Sequence, residues 1–141
     1  MTQEETTRAH EIALASGGSR GRILLRIVND LLFIDIVGEP SGPDLVDCFR
    51  RALATGRLKA SMRAMVDLTE FSGAVDWRAV DTIARMAPWG RGRPGEARVA
   101  YVVRNQPFFL LIKAAWARFP LVQYRIFFSR PEAMVWLEAP L

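Results

Sequence analysis

The stretch Arg63-Ala-Met-Val-Asp-Leu-Thr-Glu-Phe-Ser-Gly-Ala-Val-Asp-Trp77 decides the fold. Its apolar run over residues 65–68 predicts a short buried strand, Ser72-Gly73 a polar turn, and Asp76 the start of a helix. Strand, polar loop and helix in that order are the unit of an α/β domain, whose sites sit in loops at the carboxyl ends of central strands. Asp67, Thr69, Glu70, Ser72, Gly73 and Asp76 all fall at that edge and form a candidate surface for partner recognition. Nothing among them amounts to catalytic machinery.

Upstream, residues 23–28 and 31–37 flank Asn29-Asp30, a two-residue turn suited to positive φ, and predict a β-hairpin. Asp35 interrupts the second of these strands. A buried carboxylate needs a partner, so Asp35 either faces solvent or meets an arginine, with Arg26 across the hairpin the candidate. Ser41 and Asp44, with Pro43 between them, mark a helix N-terminus. The helix runs to about Ala54, gathering Leu45, Val46, Cys48, Phe49, Ala52 and Leu53 on one side and Asp47, Arg50 and Arg51 on the other. Residues 1–20 are polar, end in Gly17-Gly18-Ser19, and read as a mobile tail with a helical turn or two at most over 7–15. His10, the single histidine, lies there, without the fixed geometry a general base requires.

Downstream, a helix from Trp77 to about Ala87 turns Ala79, Val80, Ile83 and Ala87 inward. Its outer row is Arg78, Asp81 and Arg85, where Asp81 can pair with either arginine. Residues 88–95, Pro-Trp-Gly-Arg-Gly-Arg-Pro-Gly, are a connector. Residues 97–103 predict a buried strand, Asn105 and Pro107 the start of a third helix, and Pro120 its end. On a 3.6-residue wheel Leu111, Ala115, Phe108, Phe119, Ile112, Trp116 and Phe109 share one face of roughly 160°, wider than the ~100° that docking on a sheet needs. Phe109 and Trp116, beside Lys113, would forgo roughly 3–6 kcal/mol of burial if left in water. The Trp89 loop, a second subunit or an apolar ligand is expected to cover them, unless they pack within the chain. Trp89, Phe108, Phe109, Ile112, Lys113 and Trp116 are therefore the candidate apolar-ligand or dimer surface. Residues 123–128 form the last strand, and Ser129-Arg-Pro-Glu132 opens a final helix with Ala133, Trp136 and Leu137 inward.

The order β-β-α-β-α-β-α-β-α predicts a single α/β domain over residues 21–141. Its expected form is a five-stranded, mostly parallel sheet with an N-terminal β-hairpin and four helices.

Composition narrows the function. The 141 residues, half hydrophobic and 24% charged, make one globular domain. No apolar run approaches the ~20 residues of a membrane span, and residues 1–5 do not open a secretory signal, so a cytoplasmic setting is expected. One cysteine and one histidine cannot build a disulfide or a zinc site, so no metal and no cofactor is expected. The net charge of +4 rests on 19 basic residues spread along the chain, of which only Lys59 and Lys113 are lysines. No helix carries a solid basic face, so nucleic acid is not the expected partner. Asp67, Glu70 and Asp76 are carboxylates at a strand end without the rest of a hydrolytic site, and the chain is read as non-enzymatic with no catalytic residue.

The element order and several local runs resemble the SpoIIAA-like branch of the STAS superfamily (sulfate transporter and anti-sigma-factor antagonist). The runs are Ile36-Val-Gly38 with Ser41 and Asp44, Val66-Asp-Leu-Thr-Glu-Phe-Ser-Gly73, Arg98-Val-Ala-Tyr-Val-Val103, and Arg125-Ile-Phe-Phe128 with Ala133 and Trp136-Leu137. The resemblance implies a bacterial regulatory or protein-interaction domain without cofactor chemistry that binds a protein partner, and the wide Phe109/Trp116 helix adds the expectation of a homodimer. In the anti-sigma antagonists a serine or threonine at the helix after the central strand is reversibly phosphorylated, and Ser72 is the nearest match here. The paired Asp-Ser-Ser/Thr-Gly-Leu run is replaced by Glu70-Phe-Ser-Gly-Ala74. The branch also resembles lipid-binding Sec14-type domains in topology, which motivates the alternative of a small apolar ligand or lipid held at the Phe109/Trp116 helix.

Overall fold

The computed structural model describes residues 11–72, 74–88, 93–105 and 108–140. Among the described residues, six strands follow one another both in the chain and in the sheet. They are β1 (Glu11–Gly18), β2 (Gly21–Val28), β3 (Leu31–Gly38), β4 (Arg63–Asp67), β5 (Arg98–Val102) and β6 (Gln123–Phe127). The helices among the described residues are α1 (Gly42–Ala54), α2 (Trp77–Met86), α3 (Phe108–Trp116) and α4 (Arg130–Glu138).

Two expectations are corrected. The sheet has six strands rather than five, and it is mixed rather than mostly parallel: β1–β2 and β2–β3 are antiparallel, and β3 to β6 are parallel. The added strand, β1, comes from the segment expected to be a tail. Ile12 and Leu14 point to the core, alternating with exposed Ala13 and Ala15, and Gly18 pairs with Gly21 around a two-residue turn. Gly17 sits at φ 142°, where a Cβ would stand 2.4 Å from the Gly21 carbonyl oxygen, so the hairpin closes only on a glycine. Helix α1 fastens this strand from below. Arg51 donates to the Ala15 carbonyl at 2.6 Å and pairs with Asp47 at 3.0 Å. With β1 added at the edge, β2 is the second strand of the sheet. The Asn29-Asp30 turn is as expected, with Asn29 at φ 55°.

The layering follows from the strand order. Each parallel step moves the same way across the sheet, so right-handed crossovers put α1, α2 and α3 on one face. On that face Ile23, Leu25, Ile27, Leu32, Ile34, Ala64 and Val99 pack with Cys48, Phe49 and Ala52 of α1 and Ile83 of α2. The last helix has no further strand to feed, and it closes the opposite face, where Ala133 and Leu137 meet Met65, Ala100 and Val102. Cys48 is fully buried, as expected of a core residue, and burial pushes its thiol up.

Ser41, Asp76 and Ser129 cap their helices as their spacing predicts. Ser41 accepts from the Asp44 amide, Asp76 from the Arg78 and Ala79 amides, and Ser129 from the Glu132 amide. At the other end of α4, Arg98 donates to the carbonyls of Trp136, Ala139 and Pro140, and Arg63 donates to that of Leu137. Arg63 and Arg98 are register partners on β4 and β5, so two neighbouring guanidiniums satisfy the carbonyls that the end of a helix leaves orphaned.

Candidate functional site

Helix α3 differs from its neighbours in how it docks. Helices α1 and α2 pack on each other and α4 lies close on β4, β5 and β6, whereas the α3 backbone approaches none of the other described elements as closely. Large side chains make its contacts. Phe108 meets Phe71 at 6.2 Å between ring centroids, and Trp116 meets Tyr124 at 4.6 Å. The Trp116 indole N–H donates to the Val122 carbonyl at 2.5 Å. The end of α3 is tied to α2 by Arg118, whose guanidinium bonds Asp81 at 2.5 Å and lies over the Trp77 ring at 4.5 Å. Asp81 thus pairs across to Arg118, two residues beyond the end of α3.

Between α3 and the sheet lies a cavity of about 180 Å³. Ile34, Ile36, Val66 and Tyr101 of the strands line it, with Leu45 and Phe49 of α1 and Val80 and Ile83 of α2. From the third helix and its end come Phe108, Leu111, Ile112, Ala115, Trp116 and Phe119. Its rim is formed by Leu111 on α3 and by Ala74 and Asp76 before α2, all exposed. The lining is almost wholly carbon. Asp76 and Tyr101 are its polar exceptions, since the Trp116 N–H is already occupied.

The two helix N-termini at the rim are in tight contact. A Cβ at Gly42, the first residue of α1, would stand 1.9 Å from Asp76 Oδ2 and 3.2 Å from Ala79 Cβ. Asp76 is held there by its capping bonds through Oδ1, at 3.1 Å to Arg78 N and 3.2 Å to Ala79 N.

The structure divides the residues expected to form one apolar surface. Phe108, Ile112 and Trp116 line the cavity. Phe109 instead stacks on Phe128 at 5.9 Å, near exposed Leu110, and Lys113 faces solvent. Trp89 lies outside the described residues. Leu111, Ala115 and Phe119, named in sequence as part of the wide face, belong to the cavity as well.

The strand-edge candidates also separate. Asp67 Oδ1 accepts from the Thr69 amide at 2.9 Å and from its hydroxyl at 2.6 Å, while Oδ2 accepts from Arg130 at 2.7 Å. The same arginine nitrogen donates to Asp35 at 3.0 Å. Asp35 therefore meets Arg130 rather than Arg26, whose guanidinium stacks over Phe33 at 5.1 Å. Burial opposes ionisation of Asp67, but the bonds from Thr69 and Arg130 outweigh it and hold the carboxyl below the usual aspartate range. This cluster and Glu70 border a cleft on the α4 side of the sheet, so Asp67 and Asp76 face different sites. Ser72 is exposed and its amide donates to the Gly38 carbonyl at 3.0 Å. It precedes the Asp76 cap by four residues, so it does not occupy the helix start. Gly73 lies outside the described residues.

No protein-family model matches the chain, and no curated protein matches it. Among solved structures it is similar to an uncharacterized protein of the DUF3478 family with a SpoIIAA-like fold from Shewanella loihica PV-4. The likeness has a TM-score of 0.58 at 17% identity and covers 90% of this chain and 93% of that one. The fold is SpoIIAA-like. No described helix is long and apolar enough to cross a membrane.

Proposed function

We propose that this chain is a small non-enzymatic binding domain that holds a compact apolar molecule between α3 and the sheet. The observation that carries this reading is the cavity itself. The cavity opens at its Leu111 and Asp76 rim, so a ligand that enters takes its own apolar surface and that of the lining out of water, at ~25 cal/mol per Å². An apolar cavity of ~150 Å³ is known to admit benzene. The size suits a single ring or a short branched chain better than a whole lipid. The wide apolar face of α3 then has a purpose beyond docking: its rings are spacers and walls.

Toluene tests this through linkage, because a ligand bound only by the folded state raises the melting temperature. The expected result is a saturable rise that Ala115→Leu, which fills the cavity from the α3 side, removes. No rise in the unmodified protein up to the solubility of toluene contradicts the reading.

A second reading, a protein-interaction domain, is favoured by Phe128, which is 55% exposed and stacked on Phe109 near exposed Leu110. Light scattering tests it. A dimer that Phe128→Ser converts to monomer supports this surface, and a monomer at all concentrations removes it as a self-association face.

A further inference from the structure

We infer that the cavity selects a neutral amphiphile: a compact hydrocarbon body with one uncharged hydrogen-bonding head that meets the hydroxyl of Tyr101. The inference rests on the reading of the cavity as a ligand site and names the class of ligand.

Tyr101 belongs to β5, and its ring forms part of the cavity wall. It touches Tyr124 edge-on at 6.3 Å, which in turn lies against Trp116. Among the described residues its hydroxyl makes no hydrogen bond, and burial pushes it above the ordinary tyrosine range, so it stays a neutral O–H. Tyr101 is only partly buried and its hydroxyl is not sealed away, so it stays open to a partner at the wall of a cavity otherwise lined by carbon. A ligand carbonyl or alcohol can supply that partner, whereas phenylalanine would offer none.

The charge follows from the rim. Among the described lining residues there is no lysine or arginine, and the one charged side chain is the Asp76 carboxylate, which disfavours an anionic head. A cationic head fares no better. Asp76 sits at the N-terminus of α2 with its Oδ1 engaged by the Arg78 and Ala79 amides, and the partial positive charge of that helix end faces the same opening. The helix end offsets about half of the carboxylate charge, the rest is exposed to solvent, and a charged head of either sign drawn in beside Tyr101 would lose its hydration against a carbon lining.

The test uses the whole chain and four probes of nearly one shape: toluene, benzyl alcohol, benzoate and benzylamine. Dissociation constants are measured by calorimetry for the unmodified protein and for Tyr101→Phe. The expected result is that the variant weakens benzyl alcohol by about threefold to tenfold, one neutral hydrogen bond, and leaves toluene within about twofold. Benzoate and benzylammonium are expected to bind at least about tenfold more weakly than benzyl alcohol. Because the variant keeps the ring and loses only an unpartnered hydroxyl, its melting temperature is expected not to fall. Equal changes for toluene and benzyl alcohol, or none, overturn the Tyr101 anchor while leaving the cavity as a site. Benzoate or benzylamine as the tightest ligand overturns the neutral head. Failure of both toluene and benzyl alcohol to bind the unmodified protein overturns the cavity reading itself.

Discussion

Arg130 Nη1 stands 2.7 Å from Asp67 Oδ2, joining the first turn of α4 to the end of β4. The same nitrogen reaches Asp35 on β3 at 3.0 Å, so one cation holds two register partners together. Replacing Arg130 with methionine leaves those two carboxylates side by side, with the Asp67 side chain only 13% exposed. The expected loss is about 1–3 kcal/mol in urea unfolding at neutral pH, below that of a fully buried pair because Arg130 is partly solvated. Adding Asp35→Asn to the variant is expected to restore part of it by removing the repulsion.

The same contact sets the acid response. Asp67 titrates lower in the folded protein than its ordinary value of 3.8, so the unfolded chain binds its proton first as pH falls. Its contribution to stability is full above that ordinary value and is lost as pH falls through the lower folded value. Unfolding free energies in urea are expected to change little on this account between pH 7 and 5. The gap between the unmodified protein and Arg130→Met is expected to narrow below about pH 4.

How much of this was legible in sequence depends on how local each feature is. The inner face of α3 was, because a 3.6-residue period is contained in the helix: six of the seven residues named for it line the cavity. Caps at Ser41, Asp76 and Ser129 were legible for the same reason. Strand β1 was missed because alanines alternate with Ile12 and Leu14, which blurs a period of two, and Ala and Glu are good helix formers. The Arg130–Asp35 contact spans 95 residues of chain and depends on a strand register that no local pattern states. The cavity was illegible too, since periodicity tells which side chains turn inward but not how closely the backbone approaches its neighbours.

Gly42 and Asp76 make a second test of the cavity rim. A methyl group at Gly42 cannot coexist with the present Asp76 carboxylate, so Gly42→Ala is expected to displace the α2 cap and cost about 1–2 kcal/mol. Asp76→Ala alone is expected to cost about 1 kcal/mol. The double variant should cost less than the sum, because removing the carboxylate removes the clash. Strict additivity in urea unfolding would contradict the geometry.

At the far end of the sheet, Arg98 is 7% exposed and ends α4 by bonding three carbonyls. Arg98→Met is expected to destabilise by about 2–3 kcal/mol, because charged hydrogen bonds are lost and the carbonyls are left in a sheltered place. Amide hydrogen exchange is expected to quicken first in the last turn of α4. Quickening that begins elsewhere would contradict this assignment.

The central claim is that the space beneath α3 takes an apolar molecule, and a ¹³C-methyl NMR titration with toluene tests it most directly. Saturable shifts are expected at Ile34, Ile36, Val66, Val80, Ile83, Leu111 and Ile112, with the exposed methyls of Leu110 and Val135 unmoved. Shifts that never saturate, or that are largest at Leu110 and Val135, would contradict it.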